Sequence, residues 1–227
     1  MYTLYIGNKN YSSWSLRPWV LLSELEIPFE EKLIPFKGQS NWDSYRAFSP
    51  NGKVPCLTDG DVTVWDSMAI MEYVAEDHAQ VWAAGRAARA WGRCVAAEMH
   101  SGFGSLRTMC GMTVGLRVEL NEVTDGLKKD VARIDELWSE GISRFGGPFL
   151  TGTTFTAADA FYAPVVFRAQ TYGLQLSQIS SDYCQHILGL KSMQAWATSA
   201  LAETWRDVGA EEAVKSFGRI TEDNRAT

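Results

Sequence analysis

A proline at the start of a predicted strand is the feature of this sequence that bears most directly on ligand binding. The segment reads Asn51-Gly52-Lys53-Val54-Pro55-Cys56-Leu57, and a proline has no N–H to offer a neighbouring strand. Either Pro55 simply begins an edge strand, or a cis Val54–Pro55 bond bends the chain. A cis bond would leave the backbone N–H and C=O of Val54 at the sheet edge, where a peptide-like ligand can pair with them.

A predicted helix start offers a second ligand site, in this case for an anion. Ser67 precedes apolar residues at three- and four-residue spacing, which predicts a helix that begins at this serine. The free N–H groups and the dipole at a helix N-terminus favour a bound carboxylate. Ser67 is equally suited to an ordinary N-cap, and both roles can coexist because the cap position itself creates the anion site.

Hydroxyl side chains gather just before the first predicted helix. Tyr11, Ser12, Ser13 and Ser15 follow a loop, and apolar residues at helical spacing come after them. A hydroxyl in this place, beside free backbone N–H groups and the positive end of a helix, can donate a hydrogen bond to an anionic ligand atom. Ser15 is equally well explained as the N-cap of the helix.

The elements around these residues form a strand–helix–strand unit followed by a hairpin. Strands are predicted over residues 3–6, 29–34, 55–57 and 63–65. One helix separates the first two strands, which suggests a parallel βαβ unit. The last two flank the turn Thr58-Asp59-Gly60-Asp61 as a hairpin. A short helix is expected over residues 42–48.

Beyond the hairpin and the Ser67 helix, helical periodicity replaces strand alternation. Long helices are predicted over residues 83–109 and 121–145, and a helix pair over 182–202. Between them, Thr156 and Asp159 form a capping box, with aspartate in place of the more usual glutamate or glutamine. The helix that this box opens is almost continuously apolar, so we expect it to form the core of the second part.

The change of pattern near residues 78–84 predicts two domains. We expect one domain over residues 1–80, an all-helical domain over 84–217, and a loose tail over 218–227. A length of 227 residues is sufficient for two such domains.

Composition excludes several classes of protein. The formal net charge is −6, which disfavours nucleic-acid binding because that affinity rests on neutralising phosphates. Residues 1–53 carry six bases and five acids, so this part is the more hospitable to a small anion. The four cysteines contain no CxxC pair and the histidines number three, so we expect no metal site. No apolar run approaches the roughly 20 residues that span a bilayer, and we expect a soluble, cytoplasmic protein with no membrane partner.

Three segments, in the same order along the chain, resemble cytosolic glutathione transferases. The segment SPNGKVPCLTDGDVTVWDSMAIMEYVAE resembles the second half of that family's N-terminal domain. The turn Tyr11-Ser12-Ser13-Trp14-Ser15-Leu16-Arg17 is similar to the serine-type active-site turn of the zeta and related classes, and the Thr156–Asp159 box to the family's C-terminal-domain cap. The resemblance implies an α/β thioredoxin-like N-terminal domain followed by an all-α C-terminal domain.

The resemblance also implies how glutathione binds. Val54 would pair its backbone with the cysteinyl moiety, while Asp66 and Ser67 would hold the γ-glutamyl end. Two lysines are candidates for the glycine carboxylate, the alternative for each being a solvated surface position. The glutathione-binding candidates are Lys37, Lys53, Val54, Pro55, Asp66 and Ser67.

By the same resemblance, a hydroxyl of the turn activates the glutathione thiol. A free thiol has a pKa of about 8.5 and is only a few per cent thiolate at neutral pH. Ser12 is the first candidate, followed by Ser13 and Ser15, with Tyr11 a further alternative. Arg17 is either an electrostatic aid to the thiolate or part of a structural ion pair. Trp14 stands where the zeta class has cysteine, which departs from the zeta pattern and from thiol–disulfide branches of the family.

The family's electrophile site lies between the domains, which directs attention to the helix predicted over residues 83–109. His100, Phe103 and Arg107 stand at i, i+3 and i+7 and are expected to share one helix face. This stretch is similar to a group of bacterial and fungal transferases, and His100 or Arg107 would orient an anionic substrate. The alternative is that the face packs against the first domain or a dimer partner.

The resemblance leaves three functions open. The first is conjugation of glutathione, as co-substrate, to small hydrophobic electrophiles in detoxification. The second is glutathione-dependent cis–trans isomerisation of a maleylacetoacetate-like substrate. The third is a binding module that keeps the fold without catalysis. The family also implies a homodimer formed through the Ser67 helix and the helix over residues 83–109.

Overall fold

The computed structural model describes residues 1–36 and 40–226, and its first part is built on a four-stranded mixed sheet. The strands are β1 (Tyr2–Ile6), β2 (Phe29–Leu33), β3 (Cys56–Asp59) and β4 (Val62–Trp65). Their order is β2-β1-β3-β4, with β1 parallel to β2 and antiparallel to β3. The parallel βαβ unit and the hairpin are therefore confirmed.

The helices of the first part cover the sheet and carry the polar residues of interest. They are α1 (Ser13–Glu24), the short α2 (Trp42–Arg46) and α3 (Ser67–Asp77). Successive residues of β1 alternate between fully and partly buried, and Leu4 and Ile6 of its inner face are completely buried. In α1, residues from Ser15 to Leu22 are all buried, because this helix packs against α3 on one side and against helices of the second part on the other.

The second part is mostly helical. Its helices are α4 (Arg86–Ser101), α5 (Gly104–Met109), α6 (Asp125–Phe145), α7 (Ala157–Tyr172), α8 (Gln178–Leu188), α9 (Lys191–Ala202) and α10 (Val208–Phe217). As predicted, α7 is buried along almost its whole length and forms the core, contacting α1, α4 and α8. The capping box is confirmed: Asp159 accepts from the Thr156 N–H at 2.9 Å. The helix pair expected over residues 182–202 corresponds to α8 and α9.

The single helix expected over residues 83–109 is two helices. Gly102 ends α4, and a side chain there would collide with the Glu98 carbonyl oxygen at 2.8 Å. Phe103 then adopts a left-handed conformation with φ of 60°, which interrupts the helix before α5. The periodicity of the sequence continues through this break, because Phe103 and the apolar residues on either side are all buried in the same core.

Residues 218–223 form a strand, contrary to the expectation of a loose tail. This strand, β6 (Gly218–Asp223), pairs antiparallel with β5 (Leu116–Leu120) and adds a small two-stranded sheet to the helical part. The inner face of β5 is buried at Leu116 and Val118, so pairing both satisfies the strand backbone and covers an apolar surface. Both strands are polar on their outer face, which masked them in the sequence.

The division into domains at residues 80 and 84 stays a prediction. The segment between α3 and α4 contains one turn of 3₁₀ helix, Ala79–Val81. In the described part of the chain, no helix has both the length and the apolar character needed to cross a membrane.

Candidate active site

Two adjoining cavities bring together residues from four separate segments of the first part. One cavity, of about 260 Å³, is lined by Trp14, Asn51, Lys53, Val54, Pro55, Asp66 and Ser67. The second, of about 320 Å³, is lined by Tyr11, Ser12, Ser13, Trp14, Phe36, Asn41, Tyr45, Gly52, Lys53 and Val54. Trp14, Lys53 and Val54 border both. We call residues 11–15, which carry the hydroxyl groups, the hydroxyl turn. This turn therefore borders one end of a continuous depression, and the start of α3 borders the other.

The backbone at Val54 lies between these two ends. The Val54–Pro55 peptide bond is cis, which decides between the two conformations expected from the sequence. Asn51 shapes the preceding turn, because its Oδ1 accepts the Lys53 N–H at 3.0 Å. Lys53 is exposed beside the cavities, and Val54 is half-buried. Lys37, the other lysine proposed for the glycine carboxylate, lies outside the described residues.

The start of α3 differs from the expectation in one respect. Asp66, not Ser67, is the N-cap residue: its Oδ1 accepts the Met68 N–H at 2.8 Å. Asp66 has a φ of 77°, a conformation that costs a non-glycine residue on the order of 1–3 kcal/mol and that concentrates at functional sites. Ser67 is the first helical residue and is fully buried. A charged carboxylate and a helix N-terminus thus stand side by side at one end of the depression.

Arg17 lies directly behind Ser67. Its Nη1 donates to Ser67 Oγ at 3.2 Å, and its guanidinium lies over the rings of Trp14 and Phe161, 4.2 and 4.7 Å from their centroids. Burial, with smaller contributions from Arg107 and Arg168, lowers the pKa of Arg17 to about 9, so the side chain stays protonated at neutral pH.

The buried charge of Arg17 is not balanced by a close carboxylate. Its Nε is buried without a hydrogen-bond partner in the described chain, and no ion pair joins its guanidinium to an acid there. The structural ion pair that was one alternative for Arg17 is therefore absent from the described residues. Asp66 offsets part of this charge at longer range, and a buried cation without an ion-pair partner attracts an anion to the adjoining cavity.

The hydroxyl turn precedes α1 as a short chain of hydrogen bonds. Ser12 is the N-cap residue of α1, yet its side chain does not cap the helix. Ser12 Oγ donates instead to Ser15 Oγ at 2.7 Å, and Ser15 Oγ also accepts the Gly7 N–H at 3.1 Å. The N-cap role considered for Ser15 is wrong, because Ser15 lies inside the helix and is fully buried. Ser13 lines the cavity, and its hydroxyl has no hydrogen-bond partner in the described residues.

Tyr11 borders the same cavity but uses its hydroxyl elsewhere. Tyr11 Oη donates to Glu211 Oε1 at 2.6 Å and accepts from Arg225 Nη1 at 2.9 Å. Burial and the Glu211 carboxylate raise the pKa of the Tyr11 phenol. Because Tyr11 donates its one hydroxyl proton to Glu211, the phenol is not available to donate to a thiolate.

The three residues expected to share a helix face have separate roles. Arg107 lies on α5 and binds carbonyl groups at the end of α4: its Nε donates to Gly102 O at 2.8 Å and its Nη2 to Met99 O. Phe103 belongs to the buried core. The uninterrupted helix assumed for this face is therefore wrong, although His100 and Arg107 both contact Trp14 of the first part.

Two of these three, His100 and Arg107, reach Trp14 from the second part, and the Arg107 guanidinium lies 5.1 Å from the Trp14 ring centroid. His100 also meets Asp66. Its Nε2 lies 3.7 Å from Asp66 Oδ2, and its ring meets the Trp14 ring edge to face at 5.2 Å between centroids. Burial lowers the pKa of His100, as do Arg17 and Arg107, against the opposing effect of Asp66. A neutral imidazole beside Asp66 leaves that carboxylate's charge available to a ligand.

Sequence reasoning missed the residues that hold the loop in front of the hydroxyl turn. Glu203 is buried, and its carboxylate accepts the N–H groups of Lys9 at 2.7 Å and Asn10 at 3.1 Å. Asn10 Oδ1 accepts in turn from the Gly115 N–H at 3.1 Å. These partners lie more than 100 residues away along the chain, and no local pattern in the sequence marks them. Among the described residues, no cluster of three or more acidic, histidine or cysteine side chains is placed to hold a metal ion.

Two family models match the chain. The model of the glutathione S-transferase N-terminal domain matches residues 11–77, and that of the glutathione S-transferase C-terminal domain matches residues 118–208. Among curated relatives, the chain is similar to the glutathione S-transferase-like protein OpS6 of Beauveria bassiana, with 23% identity over 175 residues, 71% of this chain and 76% of the relative. It is 40% identical to glutathione S-transferase F10 of Arabidopsis thaliana over 65 residues, which span 28% of this chain and 30% of that protein.

A solved structure shares the fold across nearly the whole chain. It is a glutathione transferase homolog from Burkholderia gl BGR1 with bound glutathione, at a TM-score of 0.66 and 22% sequence identity, covering 88% of this chain and 97% of the homolog. The two domain models occur in the order and at the places of the α/β and helical parts described above. The thioredoxin-like α/β part and the helical part are thus those of a glutathione transferase fold, and the chain belongs to the glutathione S-transferase family.

Proposed function

We propose that this protein binds glutathione in the joined cavities and activates its thiol for conjugation to small hydrophobic electrophiles. The observation that carries the proposal is the alignment of three recognition elements along one depression: the hydroxyl turn, the Val54 backbone, and the Asp66–Ser67 helix start. Each matches one part of a γ-glutamyl tripeptide. The Burkholderia homolog that shares this fold was solved with glutathione bound.

The γ-glutamyl end would lie against α3. Its carboxylate would meet the helix N-terminus at Ser67, where free N–H groups and the buried charge of Arg17 favour an anion. Its ammonium would face Asp66. The Val54 N–H and C=O would pair with the cysteinyl residue as an added strand, and Lys53 would meet the glycine carboxylate.

The sulfur would then lie at the hydroxyl turn, where Ser12 is our first choice for the activating group. Ser15 Oγ accepts the Gly7 N–H and retains its own proton. If the two hydroxyls turn, Ser15 donates to Ser12, and the Ser12 O–H is free to donate to the sulfur. Hydrogen bonds linked in this way strengthen one another. Ser13, whose hydroxyl has no partner in the described residues, is the second choice.

The serine acts as a hydrogen-bond donor and not as a base. The thiol proton leaves to solvent, and the thiolate is stabilised by the hydroxyl and by the N-terminal N–H groups of α1. Lowering the thiol pKa by about two units requires about 2.7 kcal/mol of preferential stabilisation. The thiolate then attacks an electrophilic carbon, a C–S bond forms, and the leaving group departs with its electron pair.

The second substrate would approach beside Tyr11 and Trp14, which border the sulfur end of the depression and remain half-exposed. Of the electrophile-pocket candidates, His100 stays in this proposal through its contact with Trp14. Arg107 stays as well, because its guanidinium lies over the Trp14 ring while it caps α4. Phe103 contributes through core packing. We further propose a homodimer formed through α3 and α4, next to the exposed Trp65 on the sheet edge.

An assay with two electrophiles tests this function against its alternatives. The proposal predicts glutathione conjugation to chlorodinitrobenzene and no isomerisation of a cis-alkene dicarboxylate. Isomerisation without conjugation would favour a maleylacetoacetate-type isomerase. Glutathione binding without either activity would indicate a binding module, and loss of all binding would reject the proposal. We also propose that the hydroxyl turn is a serine-type active site like that of the zeta class.

A further inference from the structure

The segment that follows β6 contributes a side chain to the hydroxyl turn. Arg225 follows β6, and its side chain is only 4% exposed although the residues around it are largely exposed. Its Nη1 donates to Tyr11 Oη at 2.9 Å, and its guanidinium forms an ion pair with Glu211 of α10. Tyr11 in turn donates to the same Glu211 carboxylate. The three side chains close a ring of hydrogen bonds next to Ser12.

The backbone around Arg225 is arranged to hold it in this place. Asp223, the last residue of β6, accepts from Arg225 Nε at 2.8 Å and from Nη2 at 2.6 Å, which is a bidentate pair. The Asn224 N–H donates to Gly115 O at 2.9 Å. Gly115 also leaves the space that the Arg225 stem occupies, because a Cβ there would overlap Arg225 Cγ. The ion pairs raise the pKa of Arg225 and lower that of Glu211.

This arrangement is more than a surface salt bridge. Exposed ion pairs contribute little because solvent screens them and their side chains lose rotamer freedom. Here Arg225 and Glu211 are both largely withdrawn from solvent, with 4% and 15% of their side chains exposed. Their common partner, Tyr11, lines the cavity that also contains Ser12 and Ser13. A displacement of Arg225 is therefore transmitted through one side chain to the activating turn.

We infer that Arg225 is a positioning residue for catalysis, which acts through Tyr11 and Glu211 to fix the hydroxyl turn against the glutathione sulfur. The inference rests on the proposed function. Arg225 does not touch the proposed binding positions of the γ-glutamyl or glycine ends, which lie at the start of α3 and in the loop before β3. Its loss therefore affects the sulfur and spares the rest of glutathione. Displacements of about 1 Å at a reacting group can cost up to about 100-fold in rate.

The test compares variants of the full chain at the level of the bound thiol. The pKa of bound glutathione is followed by the ultraviolet absorbance of its thiolate, and kcat and KM for glutathione are measured with chlorodinitrobenzene. Arg225→Ala is expected to raise the thiol pKa toward its free value and to lower kcat roughly tenfold, with KM for glutathione changed less than threefold. Arg225→Lys, which keeps a cation, is expected to restore part of both effects.

Two further variants make the result decisive. Arg219→Ala is the matched control, because Arg219 lies on β6 shortly before Arg225 but is 72% exposed, and among the described residues its ion-pair partner is Glu119. It should behave as the wild type. Tyr11→Phe removes the shared hydroxyl with little risk to folding and should reproduce the shift of Arg225→Ala, including the case in which Arg225→Ala does not fold.

The two levels of the proposal fail in different ways. If the wild type binds no glutathione, or binds it with an unshifted thiol pKa, the proposed function fails. If the wild type lowers the thiol pKa but Tyr11→Phe and Arg225→Ala lower it equally, Arg225 is a structural residue only, and the inference is overturned. The positioning role would also be overturned if, in these two variants, KM rose by the same factor by which kcat fell and both changes followed the loss of thermal stability.

Discussion

Ser12 Oγ and Ser15 Oγ lie 2.7 Å apart at the start of α1, and the second of these oxygens also accepts the Gly7 N–H. Ser12 lines the cavity and Ser15 is fully buried, so this hydrogen bond links the cavity surface to a buried hydroxyl. If Ser12 donates to the glutathione sulfur, Ser15 is the group that orients it.

The first prediction concerns the three serines of the turn. Ser12→Ala should lower kcat about 100-fold, the effect of removing one donor to a developing or bound anion. Ser15→Ala should lower kcat about tenfold, because Ser12 loses its orienting partner and the Gly7 N–H loses its acceptor. Ser13→Ala should change kcat less than threefold. Steady-state kinetics of the three variants measures this, and a larger loss in Ser13→Ala than in Ser12→Ala would transfer the activating role to Ser13.

Asp66 permits a separation of charge from helix capping. Asparagine caps a helix as well as aspartate does, so Asp66→Asn should keep the bond to the Met68 N–H and leave the melting temperature nearly unchanged. The charge that would meet the glutathione ammonium is lost, which costs about 1.5–3 kcal/mol and should raise the Kd for glutathione at least tenfold. Calorimetric titration measures the Kd. An unchanged Kd would remove Asp66 from the binding site.

Arg17 should show opposite effects on binding and stability. Arg17→Met removes a buried cation that has no carboxylate partner within the described ion pairs, and such replacements are often neutral or stabilising. The free energy of unfolding should therefore stay level or rise. The Kd for glutathione should rise about tenfold, because the anion site at Ser67 loses its nearby charge. Arg144→Met, on an exposed face of α6, serves as the control.

A fall in the free energy of unfolding of Arg17→Met, together with a rise in its Kd for glutathione, would contradict this assignment. It would mean that the guanidinium stabilises the fold through its contacts with Trp14 and Phe161 and not the ligand.

Asp159 predicts a pH dependence of stability. Burial raises the pKa of this carboxyl from 3.8 to about 6, although Leu150, Thr156 and Tyr183 donate hydrogen bonds to it. The native state thus binds the Asp159 proton more tightly than the unfolded chain does. The stabilisation from this proton is complete below about pH 4 and is lost as the pH rises through about 6.

Asp159→Asn removes that titration, so the two proteins should diverge with pH. The unfolding free energy of the wild type, relative to the variant, should fall by about 3 kcal/mol between about pH 4 and pH 7. Urea unfolding at several pH values measures the difference. A relative stability that rises over this interval would show that the hydrogen bonds outweigh burial and that the carboxylate form is preferred.

The parts of the structure that could be predicted from sequence depend on local patterns. The βαβ unit follows from the spacing of apolar residues and from the loop-forming residues between them. The Thr156–Asp159 box follows from two residue types three positions apart. The segment around Val54 was identified because proline has so few acceptable places in a sheet. These signals need only neighbours in the chain.

The parts that could not be predicted depend on contacts between distant segments or on backbone conformation. The break at Gly102 and Phe103 leaves the apolar pattern intact, so one helix was expected where there are two. The N-cap of α3 is Asp66 and not the expected Ser67, because no sequence pattern indicates a positive φ at an aspartate. Arg225 reaches Tyr11 from 214 positions away, and the polar β6 gave no reason to expect it.

The most direct test of this account is a titration of the wild-type protein with glutathione, followed by the absorbance of the bound thiolate as a function of pH. We predict one glutathione per chain, with its thiol ionising about two pH units below the free value of about 8.5. The Ser12→Ala protein should bind glutathione with a thiol pKa near the free value. A wild-type protein that does not bind glutathione, or that binds it with an unshifted thiol, would contradict the central claim.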